Sequence, residues 1–175
     1  MESHIIETVY RGHKFRSRQE ARWAVFFDQF GIKWQYEKEG YKLGTLGNYL
    51  PDFWLPDLHI FCEVKAQKPS DREIAKALAL AELSGHDVAV VSLVPQAYGD
   101  SENYYGYRCF AGHPCTDDGY YFSKCDVCGT YGYTYSGYIR QCDCGNEKRE
   151  SHSKLFEKSC LAARCARFEY GKEGN

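Results

Sequence analysis

No stretch of about 18 consecutive apolar residues occurs in the sequence, so no segment has the composition of a membrane-spanning helix. The opening MESHIIETVYRGHK lacks both the apolar segment and the small-residue cleavage site of a signal peptide. The expectation is therefore a cytoplasmic protein without a membrane partner, in a compartment where disulfides are disfavoured. A large excess of charge is also missing. The formal net charge of −2 argues against coating nucleic acid through bulk charge, although it leaves room for a local basic patch. There is no internal repeat. Aliphatic residues are scarce from Tyr98 to Tyr138, where ten tyrosines and many glycines stand instead. That composition excludes a long helix there and favours short strands and knuckles.

What remains is a soluble globular composition, 43% hydrophobic and 26% charged over 175 residues. This length suits one ordinary domain, or one domain with a small appended module. Nine cysteines are present, and eight of them lie beyond residue 108. In a reducing compartment such a cluster reads first as metal ligation. Near the start, YRGHKFRSRQEAR carries Arg11, Lys14, Arg16, Arg18 and Arg22 against the single acid Glu20. Arg11, Lys14, Arg16 and Arg18 are thus candidate nucleic-acid contacts, with a solvated charged face as the alternative.

Two helices are announced by their caps. SRQEARWAVFFDQFG begins with the Ser-x-x-Glu pair Ser17/Glu20, carries Trp23, Phe26, Phe27 and Phe30 at helical spacing, and stops at Gly31. SDREIAKALALAELSG repeats the device with Ser70/Glu73 and Gly85. Between them, IKWQYEKEGYKL reads as one strand with irregular edges, and YLPDFWL and HIFCEVK read as a hairpin around the turn signal Pro56-Asp57. If Asp57 and Leu58 are the loop residues, Asp52 lies opposite Glu63; if Pro56 and Asp57 are, the register moves by two. Each side chain keeps its face in both cases. Asp52, Glu63 and Lys65 share one face, and Phe53, Leu55, Ile60, Cys62 and Val64 share the other. DVAVVSLV then has the composition of a strand buried on both sides. The order helix, three strands, helix, strand implies a small mixed sheet flanked by helices.

Two carboxylates close together can hold magnesium, a hard cation that prefers oxygen ligands. A neighbouring lysine can orient water and stabilise charge developing on phosphate. Pro51-Asp52, Glu63-Val64-Lys65 and Glu20, in that order and on those elements, resemble the PD-(D/E)XK nuclease superfamily over about Phe15 to Val94. FRSRQEARWAVFF, YLPDFWLP and EVKAQ look especially like small nuclease-like proteins encoded by phages and prophages. The resemblance implies a restriction-endonuclease-like α/β core of αβββαβ order and magnesium- or manganese-dependent hydrolysis of DNA. It further implies Asp52 and Glu63 as metal ligands, Lys65 as the residue orienting the attacking water, and Glu20 completing the metal site or positioning a second ion. For Glu20 a plain capping role is the alternative. Gln67 follows the motif lysine and reads as a strand-end amide.

The second chemistry lies in CDVCGTYGYTYSGYIRQCDCG. Cys125-x2-Cys128-Gly129 looks like a zinc knuckle, the glycine permitting the positive φ such a turn needs. Cys142 and Cys144 can supply the other pair, although Cys-x-Cys is shorter than the usual half-site. Four thiolates would form a closed structural site. Cys109, His113 and Cys115 form a weaker cluster able to join it or make another, while Cys62, Cys160 and Cys165 occupy core-facing positions. Tyr131, Tyr133 and Tyr135 alternate on one strand face and suit a cover for the module better than a platform for bases.

The expected organisation is a nuclease-like core at 1–95, a zinc-binding module at 96–148, and a C-terminal helix within 149–175 that packs back on them. The competing functions are a non-catalytic nucleic-acid-binding or protein-interaction module that keeps the fold, and a zinc-ribbon protein acting on RNA or a protein partner.

Overall fold

The computed structural model describes residues 7–96, 106–116, 119–135, 142, 144–145, 149–150 and 153–168. A hairpin of β1 (Thr8–Tyr10) and β2 (His13–Phe15) leads into α1 (Arg18–Phe30). Ser17 caps α1 by accepting the Glu20 N–H, and Gly31 ends it in the left-handed conformation at φ 88°. The helix buries Trp23, Phe26, Phe27 and Phe30, the stripe written in the sequence.

The single strand expected over Ile32–Leu43 is broken. β3 (Gln35–Tyr36) stops where Glu37 takes a positive φ of 44°, and β4 (Tyr41–Lys42) leaves the sheet. β4 instead pairs with β5 (Asn48–Tyr49) across a 3-10 turn at Gly44–Leu46. The central sheet continues with β6 (Phe53–Leu55) and β7 (Ile60–Lys65), antiparallel to each other. α2 (Asp71–Ser84) then crosses over to β8 (Val88–Ser92), parallel to β7. A fifth strand, β9 (Gly106–Cys109), pairs antiparallel with β8, giving the order β3-β6-β7-β8-β9.

Both sheet faces are covered. Phe53, Leu55, Ile60, Cys62, Val64, Ala89 and Val91 belong to the cluster formed with α1, and Trp54, Phe61, Val88 and Val90 belong to the cluster formed with Ala77, Leu80 and Ala81 of α2. β8 is buried along its whole length, which explains its uninterrupted apolar run.

The compositional boundary at residue 95 does not divide the core. β9 lies beyond it and yet completes the central sheet. β10 (Tyr120–Cys125) and β11 (Tyr131–Tyr135) form a hairpin, with β12 (Arg149–Glu150) beside β10. From this hairpin Phe122 reaches Trp23, Phe26 and Phe27, with ring centroids 6.0, 5.9 and 5.3 Å away. α3 (Lys154–Cys165) lies against α1, and Phe156 meets Phe26 and Phe30 at 5.5 and 5.7 Å. Tyr121, Phe122, Tyr133, Phe156, Cys160 and Ala163 therefore share one hydrophobic cluster with α1. The tyrosines do not all take the same role: Tyr133 is buried, Tyr135 is exposed, and the Tyr131 hydroxyl donates to the carbonyls of Phe30 and Gly31 at 3.1 and 2.8 Å. Tyr131 thus covers the end of α1, and Tyr133 packs on Phe122.

Two cysteine expectations are corrected. Cys109 and Cys115 are joined as a disulfide, six residues apart, so they do not form a metal cluster with His113. The His113 backbone N–H donates to the Phe110 carbonyl, and its ring lies on Phe110. Cys165 is exposed, whereas Cys62 and Cys160 are buried.

Gly31 offers a direct test of how α1 meets β11. A Cβ there would stand 2.6 Å from the Tyr131 hydroxyl, at a φ that disfavours any side chain. Gly31→Ala is expected to cost about 1–3 kcal/mol in a denaturant titration. Unchanged stability would mean that Tyr131 does not hold this position.

Candidate metal centre and active-site cleft

Asp52 directly precedes β6. The register Phe53 with Cys62 and Leu55 with Ile60, carried one residue outward, sets Asp52 opposite Glu63. The turn that produces it spans residues 56–59, closed by the Leu58 N–H on the Leu55 carbonyl at 3.1 Å, with His59 at φ 54°. Of the two loops the sequence allows, this is the register with the acids opposed.

Hydrogen bonds lock the pair. The Val64 N–H donates to Asp52 Oδ2 at 2.7 Å, and the Asp52 N–H donates to Glu63 Oε2 at 3.3 Å. Both acids are buried, at 3% and 5% exposure. Two cations meet them: Arg16 Nη2 lies 2.7 Å from Asp52 Oδ1, and Lys65 Nζ lies 2.7 Å from Glu63 Oε1. Burial drives the Asp52 carboxyl well above its ordinary value, and the neighbouring Glu63 and Glu20 charges push it further; the Val64 N–H and Arg16 oppose this without cancelling it. Burial alone would lower the Lys65 ammonium, but Glu63 and Glu73 outweigh it and raise it above an ordinary lysine.

Glu20 stands one step away. Its Oε1 accepts the Ser17 hydroxyl at 2.7 Å and its Oε2 accepts the Tyr36 hydroxyl at 2.6 Å. The Tyr36 oxygen in turn accepts the Arg16 backbone N–H at 3.1 Å. Glu20 is thus tied to Asp52 through Tyr36 and Arg16. Among the described residues, the carboxylates of Glu20, Asp52 and Glu63 do not form a close three-ligand group. Two positive groups, Arg16 and Lys65, already stand on the Asp52 and Glu63 carboxylates.

Of these groups, Arg16, Glu63 and Lys65 line a cleft of about 770 Å³, together with Lys42, Asn48, Tyr49, Glu73 and Lys76, among others. The β4–β5 hairpin forms one wall and the first turns of α2 another. Several of these residues were not legible as site residues. Glu73 completes the α2 capping box through Oε2 and approaches Lys65 through Oε1 at 3.2 Å. Its cap accounted for it in the sequence, and nothing local pointed back to Lys65. Tyr49 is buried beside both acids; burial, then Glu63 and Asp52, raise its hydroxyl well above the usual range.

The basic run is dispersed. Only Arg16 lines this cleft. Arg11 pairs with Asp28 beside a separate hollow at Trp34, exposed Lys14 pairs with Glu7, and Arg18 begins α1. Gln67 is exposed beyond the end of β7.

The cysteine site lies apart from the cleft. The Sγ atoms of Cys125, Cys128, Cys142 and Cys144 all fall within 4.8 Å of one another. Cys125 and Cys144 approach to 3.7 Å, and Cys128 and Cys142 to 3.4 Å. A tetrahedral zinc with Zn–S bonds of about 2.3 Å requires sulfurs about 3.8 Å apart. The shorter Cys-x-Cys half is no obstacle. Gly129 and Gly145 adopt φ 75° and 83°, and their N–H groups donate to Cys125 and Cys142 carbonyls, both at 2.8 Å. The four thiols can hold a metal ion such as zinc.

No family model matches the chain, and neither curated proteins nor solved structures give a match.

Proposed function

We propose that this protein is a metal-dependent DNA endonuclease with a restriction-endonuclease-like core. The observation that carries this reading is the buried, opposed pair Asp52 and Glu63 with Lys65 at bonding distance, at the wall of a cleft that also holds Arg16, Lys42 and Lys76. The order α1, β3, β6, β7, α2, β8 in the central sheet and its helices also follows the helix, three strands, helix, strand order that the resemblance implies.

Asp52 and Glu63 would hold magnesium or manganese, which supplies polarisation of the phosphate and a more acidic bound water. Lys65, kept cationic by Glu63 and Glu73, stabilises negative charge developing on the phosphoryl oxygens and orients the attacking water. Glu73 fixes the lysine's direction, and Glu20 acts on Asp52 through Tyr36 and Arg16. The cysteine cluster is read as a structural zinc site, since four thiolates leave no open position.

A second reading has its own support. Arg16 on Asp52 and Lys65 on Glu63 neutralise both acids internally, as would suit a nuclease-like module that binds nucleic acid without cutting it. A cleavage assay on linear, branched and single-stranded DNA with magnesium or manganese separates the two. Wild type should cut only with metal. Lys65→Ala should lose at least about 100-fold in rate while still binding metal. Metal-independent DNA binding with no cleavage would favour the second reading.

We propose that Lys42 and Lys76, which line the cleft, meet DNA. Lys42→Glu and Lys76→Glu are expected to weaken binding and to reduce the steepness of its salt dependence by about one phosphate contact each. Lys14→Glu should leave both quantities unchanged. Equal effects at all three positions would point to a diffuse field rather than this cleft.

A further inference from the structure

Arg16 is the one basic residue of the N-terminal run that reaches the acidic pair, and its two contacts use different nitrogens. Nη2 lies 2.7 Å from Asp52 Oδ1, while Nε lies 2.7 Å from Glu37 Oε1. Its backbone is pinned as well, because its N–H donates to the Tyr36 hydroxyl. The Arg16 side chain is 54% exposed and that of Asp52 is 4% exposed, so the guanidinium covers a buried carboxylate from the solvent side. It also lines the cleft shared by Glu63 and Lys65.

We infer that Arg16 is an internal counter-ion that a divalent cation displaces from Asp52, and that the displaced guanidinium, still held by Glu37, takes a phosphate oxygen of the substrate. This rests on the nuclease reading and adds to it a coupling between metal and phosphate.

The energetics run in one direction. Solvent around the half-exposed guanidinium weakens its hold on Asp52. A divalent ion between two carboxylates competes well against it, and the two cations repel each other at one carboxylate. Guanidinium cannot escape by losing its proton, so once displaced it needs a new anion. Its planar donors suit a phosphodiester, which presents paired oxygens. Lys65 differs, because Glu73 offers it a second partner whatever happens at Glu63. The result is ordered assembly: without metal the site is closed by its own arginine, and with metal it gains a phosphate ligand. Neither ligand then competes with the other.

The test compares wild type with Arg16→Gln, both purified without chelator and matched by thermal melting. Mn2+ binding is followed by electron paramagnetic resonance, first alone and then with a short phosphorothioate duplex. Removing the competitor should tighten Mn2+ binding in the variant by about fivefold, which corresponds to about 1 kcal/mol. In wild type, Mn2+ should strengthen duplex binding, and that gain should shrink by a similar factor in the variant. If wild type binds Mn2+ and Arg16→Gln binds it equally or more weakly, the displacement is wrong while the nuclease reading stands. If wild type and variant both fail to bind Mn2+, with or without the duplex, the metal-dependent reading falls and this inference falls with it.

Discussion

Asp52→Asn is expected to abolish cleavage and, in the same protein, to raise the melting temperature at neutral pH in the absence of divalent metal. Asp52 is held among Glu63, Glu20 and the sheet, and its carboxyl is raised by burial first and by those charges second. For an acid raised on folding, the native state holds its proton to higher pH than the unfolded chain does. Stability therefore falls as pH climbs from the ordinary aspartate value through the folded one, and above that the full cost remains. Each pH unit between the two values costs about 1.4 kcal/mol, or about 3–6 °C of Tm in a chain of this size. Asparagine keeps an acceptor for the Val64 N–H and removes the charge. Wild-type stability should thus decline with pH across this window, while the variant's stays flatter. Thermal melts from acidic to mildly alkaline pH, run without added magnesium or manganese, measure the second half of the expectation. Gel assays with magnesium measure the first. A variant that melts below wild type at neutral pH would contradict the burial argument. One that still cuts would remove Asp52 from the catalytic site.

Loss of metal from the cysteine site is expected to lower Tm by about 10 °C or more, since structural zinc contributes many kcal/mol to folding. The effect should not stay local. Cys125 closes β10, and three residues earlier Phe122 enters the cluster around Trp23, Phe26 and Phe27. Tyr131 and Tyr133, on the paired strand, reach Gly31 and Phe122. When the knuckles open, the hairpin loses its anchor and the aromatic faces of α1 and α3 lose their cover. Cys128→Ser tests this, because Cys128 is exposed and its replacement disturbs no core packing. The variant should contain less than one equivalent of zinc by elemental analysis, melt early, and lose near-ultraviolet signal from the aromatic core. Activity should fall only as folding does. A full Tm in metal-free protein would remove the structural role, and wild type free of zinc when purified without chelator would remove the site itself.

The same coupling bears on the zinc-ribbon alternative. A fragment of residues 96–175 would carry Phe122, Tyr133 and Phe156 without α1 to receive them. Nucleic-acid affinity retained by such a fragment would have to survive exposure of these rings.

Features encoded within a turn or a strand were legible in the sequence alone. Ser17 and Ser70 marked the starts of α1 and α2, Gly31 and Gly85 marked their ends, and the aromatic stripe of α1 is buried as its spacing required. Strand parity put Phe53, Leu55, Ile60, Cys62 and Val64 on one face, and their cluster is the one beneath α1. Cysteine spacing brought the four thiols into one group. Such signals are local: capping acts over three or four residues, and side-chain direction along a strand depends only on counting by two.

Choices between distant segments had to await the tertiary structure. Two turns were open at Pro56–His59, and the folded chain takes the register that opposes Asp52 and Glu63. Glu37 ended a strand that composition would have continued, which freed β4 and β5 to wall the cleft. β9 crossed a compositional boundary because an open edge of β8 was there to pair with it. Arg16 met Asp52 across 36 residues, and Glu73 met Lys65 from a cap whose local role already explained it. Sequence determined which side chains are polar, which face they take and where helices start. Only the folded chain could decide which charges become neighbours, because each such contact depends on several elements packing at once.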